Sequence, residues 1–469
     1  VGNSSNPFTG SFDGDGNTIS GLHINETTQE EAGLFGNATG VTIERVTLND
    51  VNVSDGSNAS GLVGYATDIM ITDVTVNGNV TGDGNTTSAG GAGLVAGYTV
   101  NATITNATAN GNVLNDGITG GIVGYLIDGT VENASMNENP RGIATYKGAQ
   151  TNGEVVKTNV LGQAAGGIVG STVPQSDGGI FASGSAIRNS TVDATVVGQS
   201  FVGGLVGVGE TVTGSTADGA VSGQAYTGGL TGLALGDVTD SAATGDVQRI
   251  FVGATGGNVT DSRATGNVAS SNDAVGGLVG TVGLSVLRVT TTVDLSVVNS
   301  TATGDVDGHS LVGGLVGGSD TGSNTVTIDT SNATGQVNGT ANIGGLIGRA
   351  SGDSPTHISN SWASGSVNAT ESGTTRAGGL VGAFFIGGNI TASNASGTVS
   401  GNGKQVGGLV GVNEGGLITD STASGAVTGK NYTGGLVGKV EMLVNEDAAK
   451  PGSISTSSAS GTVKGTDNV

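Results

Sequence analysis

The chain has 469 residues, of which 91 are glycine and none cysteine, and only 3% are aromatic and 11% charged. Ordinary domains carry about 7% glycine and roughly a quarter charged residues, so a thick core of aromatic side chains is excluded, as is a disulfide framework. Fifteen basic residues face 38 acidic ones, for a formal net charge of −23, and such a surface repels nucleic acid and anionic lipid. The acidity either keeps a glycine-rich chain soluble or suits a high-salt habitat, and composition leaves both open. A mean hydropathy of +0.06, with regularly spaced apolar clusters, argues against wholesale disorder. No apolar run approaches the roughly 18 residues of a membrane span. No signal peptide opens the sequence, so an exported protein is expected to have lost its leader.

In chain order, the first notable stretch is Asp13-Gly14-Asp15-Gly16-Asn17, which mimics the start of a calcium loop. An EF-hand wants Gly at loop position 6 and Glu at 12, but Thr18 and Ile24 stand there. A tight glycine-rich turn is expected instead. A short phrase then recurs, with variants around Leu34, Leu62, Leu94, Ile122 and Ile168. Fuller copies follow around Leu205 and Leu230, and a degraded one near Val252. Gly276-Gly277-Leu278-Val279-Gly280 is its clearest form, returning around Leu315, Leu346, Leu380, Leu409 and Leu436. Copies lie roughly 25 to 37 residues apart, with one wider gap between Ile122 and Ile168. Such periods signal a solenoid, propeller or array, and a propeller blade needs about 40 to 50 residues. Most units here are too short for that.

A second phrase alternates with the first, as in Thr239-Asp240-Ser241-Ala242-Ala243-Thr244-Gly245-Asp246-Val247 and the stretches 260–268, 359–367 and 419–427. On a strand, Ser241, Ala243, Gly245 and Val247 share one face, and Asp240, Ala242, Thr244 and Asp246 the other. The position of Ala242 is taken by Arg263, Thr301, Trp362 and Thr422 in other copies. No buried site accepts all of these, so that face meets solvent and the small-residue face packs inward. The expected fold is all-β, a right-handed parallel β-helix (β-solenoid) of roughly fourteen irregular rungs. At ~4.8 Å per rung it would run on the order of 65 to 70 Å. Leu278, Leu315, Leu346 and Leu409 should form one inner column, with Ala243, Ala264 and Ala363 in a facing one.

The Gly-Gly-Leu-Val-Gly phrase, followed by a Ser-x-Ala-Thr-Gly-x-Val strand, resembles the GLUG-motif repeats of secreted bacterial and archaeal proteins. The opening from Pro7 through Phe8, Phe12, Asn17 and Ile19 to Leu22 is similar to the segment that commonly precedes such repeats. The resemblance implies lead-in strands over 1–31, a repeat solenoid over 32–469, and an exported, often adhesin-like protein. Insertions interrupt the pattern at 139–165 (with Pro140, Arg141, Tyr146, Lys147 and Lys157), at 281–298 (with Val286, Leu287, Val289, Val293, Leu295, Val297 and Val298) and at 440–452 (with Met442, Leu443 and Val444). Insertions in a solenoid project as loops from one face, often the binding face.

Chemistry-bearing motifs are sparse. His23, His309 and His357 stand in unrelated repeat positions without metal-ligand spacing. No nucleophile elbow, phosphate loop or His-Glu-x-x-His occurs in a strand–helix context. Asp240, Asp261 and Asp420 recur at one repeat position, where Asn299 and Asn360 substitute. That exchange points to turn chemistry rather than a catalytic ladder. No enzyme activity and no cofactor are expected, and calcium between stacked acidic turns stays open. Nineteen Asn-x-Ser/Thr sequons occur, about twice the random expectation for this acceptor signal. Asn25, Asn37, Asn58, Asn79, Asn101, Asn133, Asn189, Asn258, Asn332, Asn368, Asn394 and Asn431 are the candidates for glycosylation.

The expected function is a structural subunit of an extracellular or cell-surface fibre or filament. An adhesin or stalk that binds other cells or glycans is the alternative, and a polysaccharide-processing enzyme comes third. The expected partner is another copy of the chain, head to tail or laterally, with surface glycans or proteins also open. The last residues stop where another Gly-Gly-Leu-Val-Gly would follow. Either the polypeptide is expected to continue past Val469, or this end docks on another subunit, with Val463 and Val469 meeting Phe8 and Phe12.

Overall fold

The computed structural model describes all residues except 26–29, 55, 83–89, 116, 138–142, 147–163, 173–183, 224, 249–253, 272, 283–293, 320–324, 351–354, 371–372, 374, 386, 446–447 and 469. The degraded phrase near Val252, most of the insertions at 139–165 and 281–298, and Val469 therefore lie outside the described residues. Contacts divide the chain into two compact units. Unit 1 is Val1–Gly236 with Ser241–Asp246, and unit 2 is Asp237–Asp240 with Val247–Val469. Each is a parallel β-solenoid, with no helix among the described residues.

In unit 1 the stretch Phe12–Ser20 pairs in parallel with Thr42–Ser54, that with Val63–Thr81, and that with Ala96–Asn115. A second parallel sheet runs through Glu31–Ala32, Asn58–Ser60, Gly91–Gly93, Ile118–Gly120, Ala164–Gly166, Phe201–Gly203 and Thr227–Gly228. In unit 2 the matching sheet holds Asp273–Gly276, Ser310–Gly313, Ala341–Gly344, Ala377–Gly378, Lys404–Gly407 and Asn431–Gly434. Parallel stacking of one rung on the next lets each strand satisfy its backbone groups through its neighbours. Identical side chains thereby fall into columns. One column in unit 2 runs Val268, Val306, Val337, Val367, Val399 and Val427. It packs against Val275, Val312, Ile343, Ala377 and Val406 from the neighbouring sheet.

The long stretches are not straight. In the middle of Val63–Thr81 the inward residues are Ile69, Ile71, Val74 and Val76, so strict alternation breaks after Ile71. Asp73 stands at the break with φ 55°. A left-handed residue bends the chain and resets its parity, and Asp and Asn tolerate that conformation better than other non-glycine residues. Asp68, Asn101, Asn106, Asp128, Asn133 and Asn189 have the same conformation in unit 1, and Asp240, Asp261, Asn299, Asn360 and Asp420 in unit 2. The recurring acidic position is thus a corner, as its exchange with asparagine suggested.

The glycine phrase is explained by close approach. A Cβ on Gly344 would sit 2.0 Å from the Ile347 carbonyl of its own turn. On Gly345 it would meet the Gly379 carbonyl at 2.1 Å and the Ala363 Cβ at 2.8 Å. On Gly348 it would lie 2.5 Å from the Val312 nitrogen of the neighbouring sheet. The alanine column Ala264, Ala302, Ala333, Ala363, Ala395 and Ala423 is in register and faces these second glycines. Leu315, Leu346, Leu380 and Leu409 are fully buried, and their backbones hydrogen-bond in sequence. Leu278 is only half-buried, so the expected leucine column holds for three of its four named members.

The insertion at 440–452 forms a local antiparallel pair between Val437–Asn445 and Ala448–Pro451. At the other end of the sequence, Asp13-Gly-Asp-Gly-Asn17 interrupts the register between rungs. Asp15 N–H donates to Asp13 Oδ1 at 2.8 Å, and Arg45 pairs with both carboxylates. It is a turn with its carboxylates committed to a guanidinium.

Candidate functional site

The outer surface is built from side-chain ladders that follow the rungs. In unit 1, Asn101 Nδ2 donates to Asp68 Oδ1 at 2.6 Å and Asn106 Nδ2 to Asp73 Oδ1 at 2.8 Å. Asn133 Nδ2 continues the second ladder to Asn106 Oδ1 at 3.4 Å. Asn110 donates to Asn77 at 2.6 Å, and Asn112 to Asn79 at 2.6 Å. In unit 2, Asn299 donates to Asp261, Asn338 to Asp307, and Asn368 to Asn338 at 2.9 Å. An in-register parallel stack brings like side chains about 4.8 Å apart, a spacing that a carboxamide can bridge.

These ladders sort the candidate asparagines. Asn25, Asn79, Asn101, Asn133, Asn189 and Asn394 are exposed, and Asn58, Asn258, Asn332, Asn368 and Asn431 half-buried. Asn37 is 7% exposed, and its Nδ2 points to Glu31 Oε1 at 3.4 Å, which sets it inside the wall. Asn101, Asn133 and Asn368 spend the amide nitrogen on a neighbouring rung, whereas Asn25 and Asn79 only accept there. Of the residues expected to drive assembly, Phe8 and Phe12 are half-buried and close on Phe35, with centroids 4.8 and 5.4 Å away. Val463 is half-buried and in register with Val427.

A different feature of unit 2 escaped the sequence reading. One repeat position, just before the inward Ile343, Ala377, Val406 and Thr433 that lead into the glycine phrase, is occupied by Asn342, Arg376, Gln405 and Tyr432. Three of them, Asn342, Gln405 and Tyr432, have positive φ. Beside this column run Arg349, Phe385, Glu414, Lys439 and Glu441 from the strands after the phrase. The guanidiniums of Arg349 and Arg376 lie 5.1 and 5.8 Å from the Phe385 ring centre. Arg376 Nη2 is 3.1 Å from Glu414 Oε1. Gln405 Nε2 donates to Glu441 Oε1 at 3.0 Å, Lys439 pairs with Glu441, and its ammonium sits 4.9 Å from the Tyr432 ring centre. Burial pushes the Glu414 carboxyl up, with Arg376 opposing. Three bases against two carboxylates make the line locally cationic on a chain of net charge −23. Guanidiniums stacked on a ring keep their outer N–H groups free for carboxylate, sulfate or phosphate. The available signal was the rarity of Arg and Lys, since unlike residues at one repeat position carry no periodic signature.

Residues 402–428 match the GLUG motif, spanning the strand Lys404–Gly407, the glycine phrase at Leu409, and the corner and inward strand around Asp420. The chain carries the GLUG motif. A 75-residue stretch is 41% identical to Halomucin of Haloquadratum walsbyi (strain DSM 16790 / HBSQ001), covering 16% of this chain and 1% of that protein. No solved structure matches. No helix among the described residues is long and apolar enough to cross a membrane.

Proposed function

We propose that this GLUG-repeat chain is a structural segment of a surface-associated extracellular protein, glycan-bearing and non-catalytic, that builds a coat or fibre with copies of itself. The observation that carries this reading is the wall itself. Rung after rung closes its backbone bonds on its neighbours, and much of the outer face is a ladder of Asn, Asp, Ser and Thr. Such a wall presents few backbone groups to a protease and a uniform hydrogen-bonding surface to water. The GLUG match and the partial similarity to Halomucin support a surface setting, and the sequon excess supports glycosylation. Gold-labelled antibody on intact producing cells should decorate the envelope or material shed from it. Labelling confined to the cell interior would overturn the proposal. Sedimentation of the native protein tests assembly, since a monomer at all concentrations argues for an isolated stalk instead of a fibre.

The Arg–aromatic line of unit 2 favours one alternative, adhesion to anionic glycans. Binding of sulfated or uronic-acid polysaccharide that is lost in the double variant Arg349→Ala/Arg376→Ala would support it.

A further inference from the structure

Trp362 is the only tryptophan in the chain, and it stands on the outer face, 41% exposed. It is in register with Asn332 of one neighbouring rung and Asn394 of the next, and both asparagines begin sequons. Asn394 is exposed. Its Oδ1 accepts a hydrogen bond from Thr422 Oγ1 at 2.6 Å, and Thr422 belongs to the rung on the side away from Trp362. With the amide oxygen turned to the Thr422 side, the amide nitrogen is left on the side of the Trp362 rung. Ser396, the third residue of this sequon, is exposed on the same face.

The ladder sequons are built differently. Asn101, Asn106 and Asn368 donate Nδ2 to the oxygen of the neighbouring rung at 2.6 to 2.9 Å. Transfer to that nitrogen replaces one of its two hydrogens and needs the amide presented to the transferase, which a ladder opposes by holding it against the neighbouring rung at about 4.8 Å.

We propose that Asn394 is a glycan acceptor and that its first sugar lies on the face of Trp362. The proposal rests on the glycoprotein reading above and says which sequons serve it. The transfer forms a bond from Asn394 Nδ2 to the anomeric carbon of a lipid-phosphate-linked saccharide. It breaks the bond from that carbon to the phosphate oxygen, and the proton leaving Nδ2 balances the released lipid phosphate. The C–H face of a pyranose then covers the indole, an apolar surface with an electron-rich face, while the sugar hydroxyls remain in water.

The test uses protein purified from its producing cells, by site-resolved glycopeptide mass spectrometry and by fluorescence of the single tryptophan. Asn394 should be occupied and Asn101, Asn106 and Asn368 bare. Removing the glycan chemically, or by Asn394→Gln in the producing host, should red-shift the Trp362 emission and raise its quenching by acrylamide. Sugar on the ladder asparagines as freely as on Asn394 would overturn the assignment. So would a bare Asn394 in a protein glycosylated elsewhere, or an emission indifferent to deglycosylation. A native protein with no sugar at all would instead remove the glycoprotein reading itself.

Discussion

At the scale of the residue, a buried serine carries much of the corner chemistry. Ser300 N–H donates to Ser331 Oγ at 3.1 Å, and Ser331 Oγ donates to the Asp329 carbonyl two residues back at 2.8 Å. The same pair of bonds recurs at Ser361, Ser393 and Ser421. The left-handed corner breaks the backbone ladder there, and the hydroxyl restores an acceptor for the next N–H. Ser331→Ala should therefore cost about 1–3 kcal/mol by orphaning a buried N–H, whereas exposed Ser364→Ala should change stability by less than about 0.5 kcal/mol. Equal effects in urea denaturation would refute the ladder's role. Two carboxyls give a pH signature of opposite sign. The Ser359 hydroxyl, followed by Asn360 and Thr330, holds Asp329 below its usual range. Its stabilising contribution is thus present above pH 3.8 and is lost as pH falls through its folded value. Burial raises Glu414, so its contribution is present below pH 4.5 and is lost as pH rises through its folded value. Carbon-13 titration should find Asp329 below and Glu414 above ordinary carboxyls; the reverse order would contradict both assignments.

At the scale of the element, each copy of the glycine phrase is a close contact between two sheets, and its parts fail in opposite ways. Leu409→Ala leaves a cavity and should cost about 2–5 kcal/mol. Gly345→Ala adds volume 2.1 Å from the Gly379 carbonyl, so it should cost about 3 kcal/mol or more, at the upper end of overpacking. In a stack stabilised by nearest-neighbour interfaces, damage stays local. Hydrogen exchange should therefore speed up in the mutated rung and its two neighbours in unit 2 before rungs farther along that unit. Uniform acceleration through unit 2 would show a single cooperative core instead.

At the scale of the whole molecule, charge is the controlling quantity. A net −23 with only 15 basic residues leaves most carboxylates without a cation, and mutual repulsion opposes the compact state. Salt shortens the reach of that repulsion, to about 10 Å at 0.1 M. The melting temperature should rise with potassium chloride and flatten as screening saturates. A melting temperature that falls from the first addition of salt would mean that ion pairs such as Arg376–Glu414 outweigh the repulsion.

The parallel stack is legible in the residues alone. Its period excluded a propeller, and the exchange of Ala242 with Arg263 and Trp362 identified the outer face. The swap of Asp240 and Asp261 for Asn299 identified a corner. These features repeat, so every copy reports the same environment. Features that do not repeat, or that depend on distances between rungs, emerge only from the stacked fold. No copy of the phrase announces that Arg349, Arg376 and Phe385 meet, because they occupy different repeat positions in different rungs. Likewise a sequon reads the same whether its amide nitrogen is donated across a rung, as at Asn101, or left on the side of a tryptophan rung, as at Asn394. A neighbour 28 residues away at Asn394 and 33 away at Asn101 makes that choice, and only the stacking register brings it alongside.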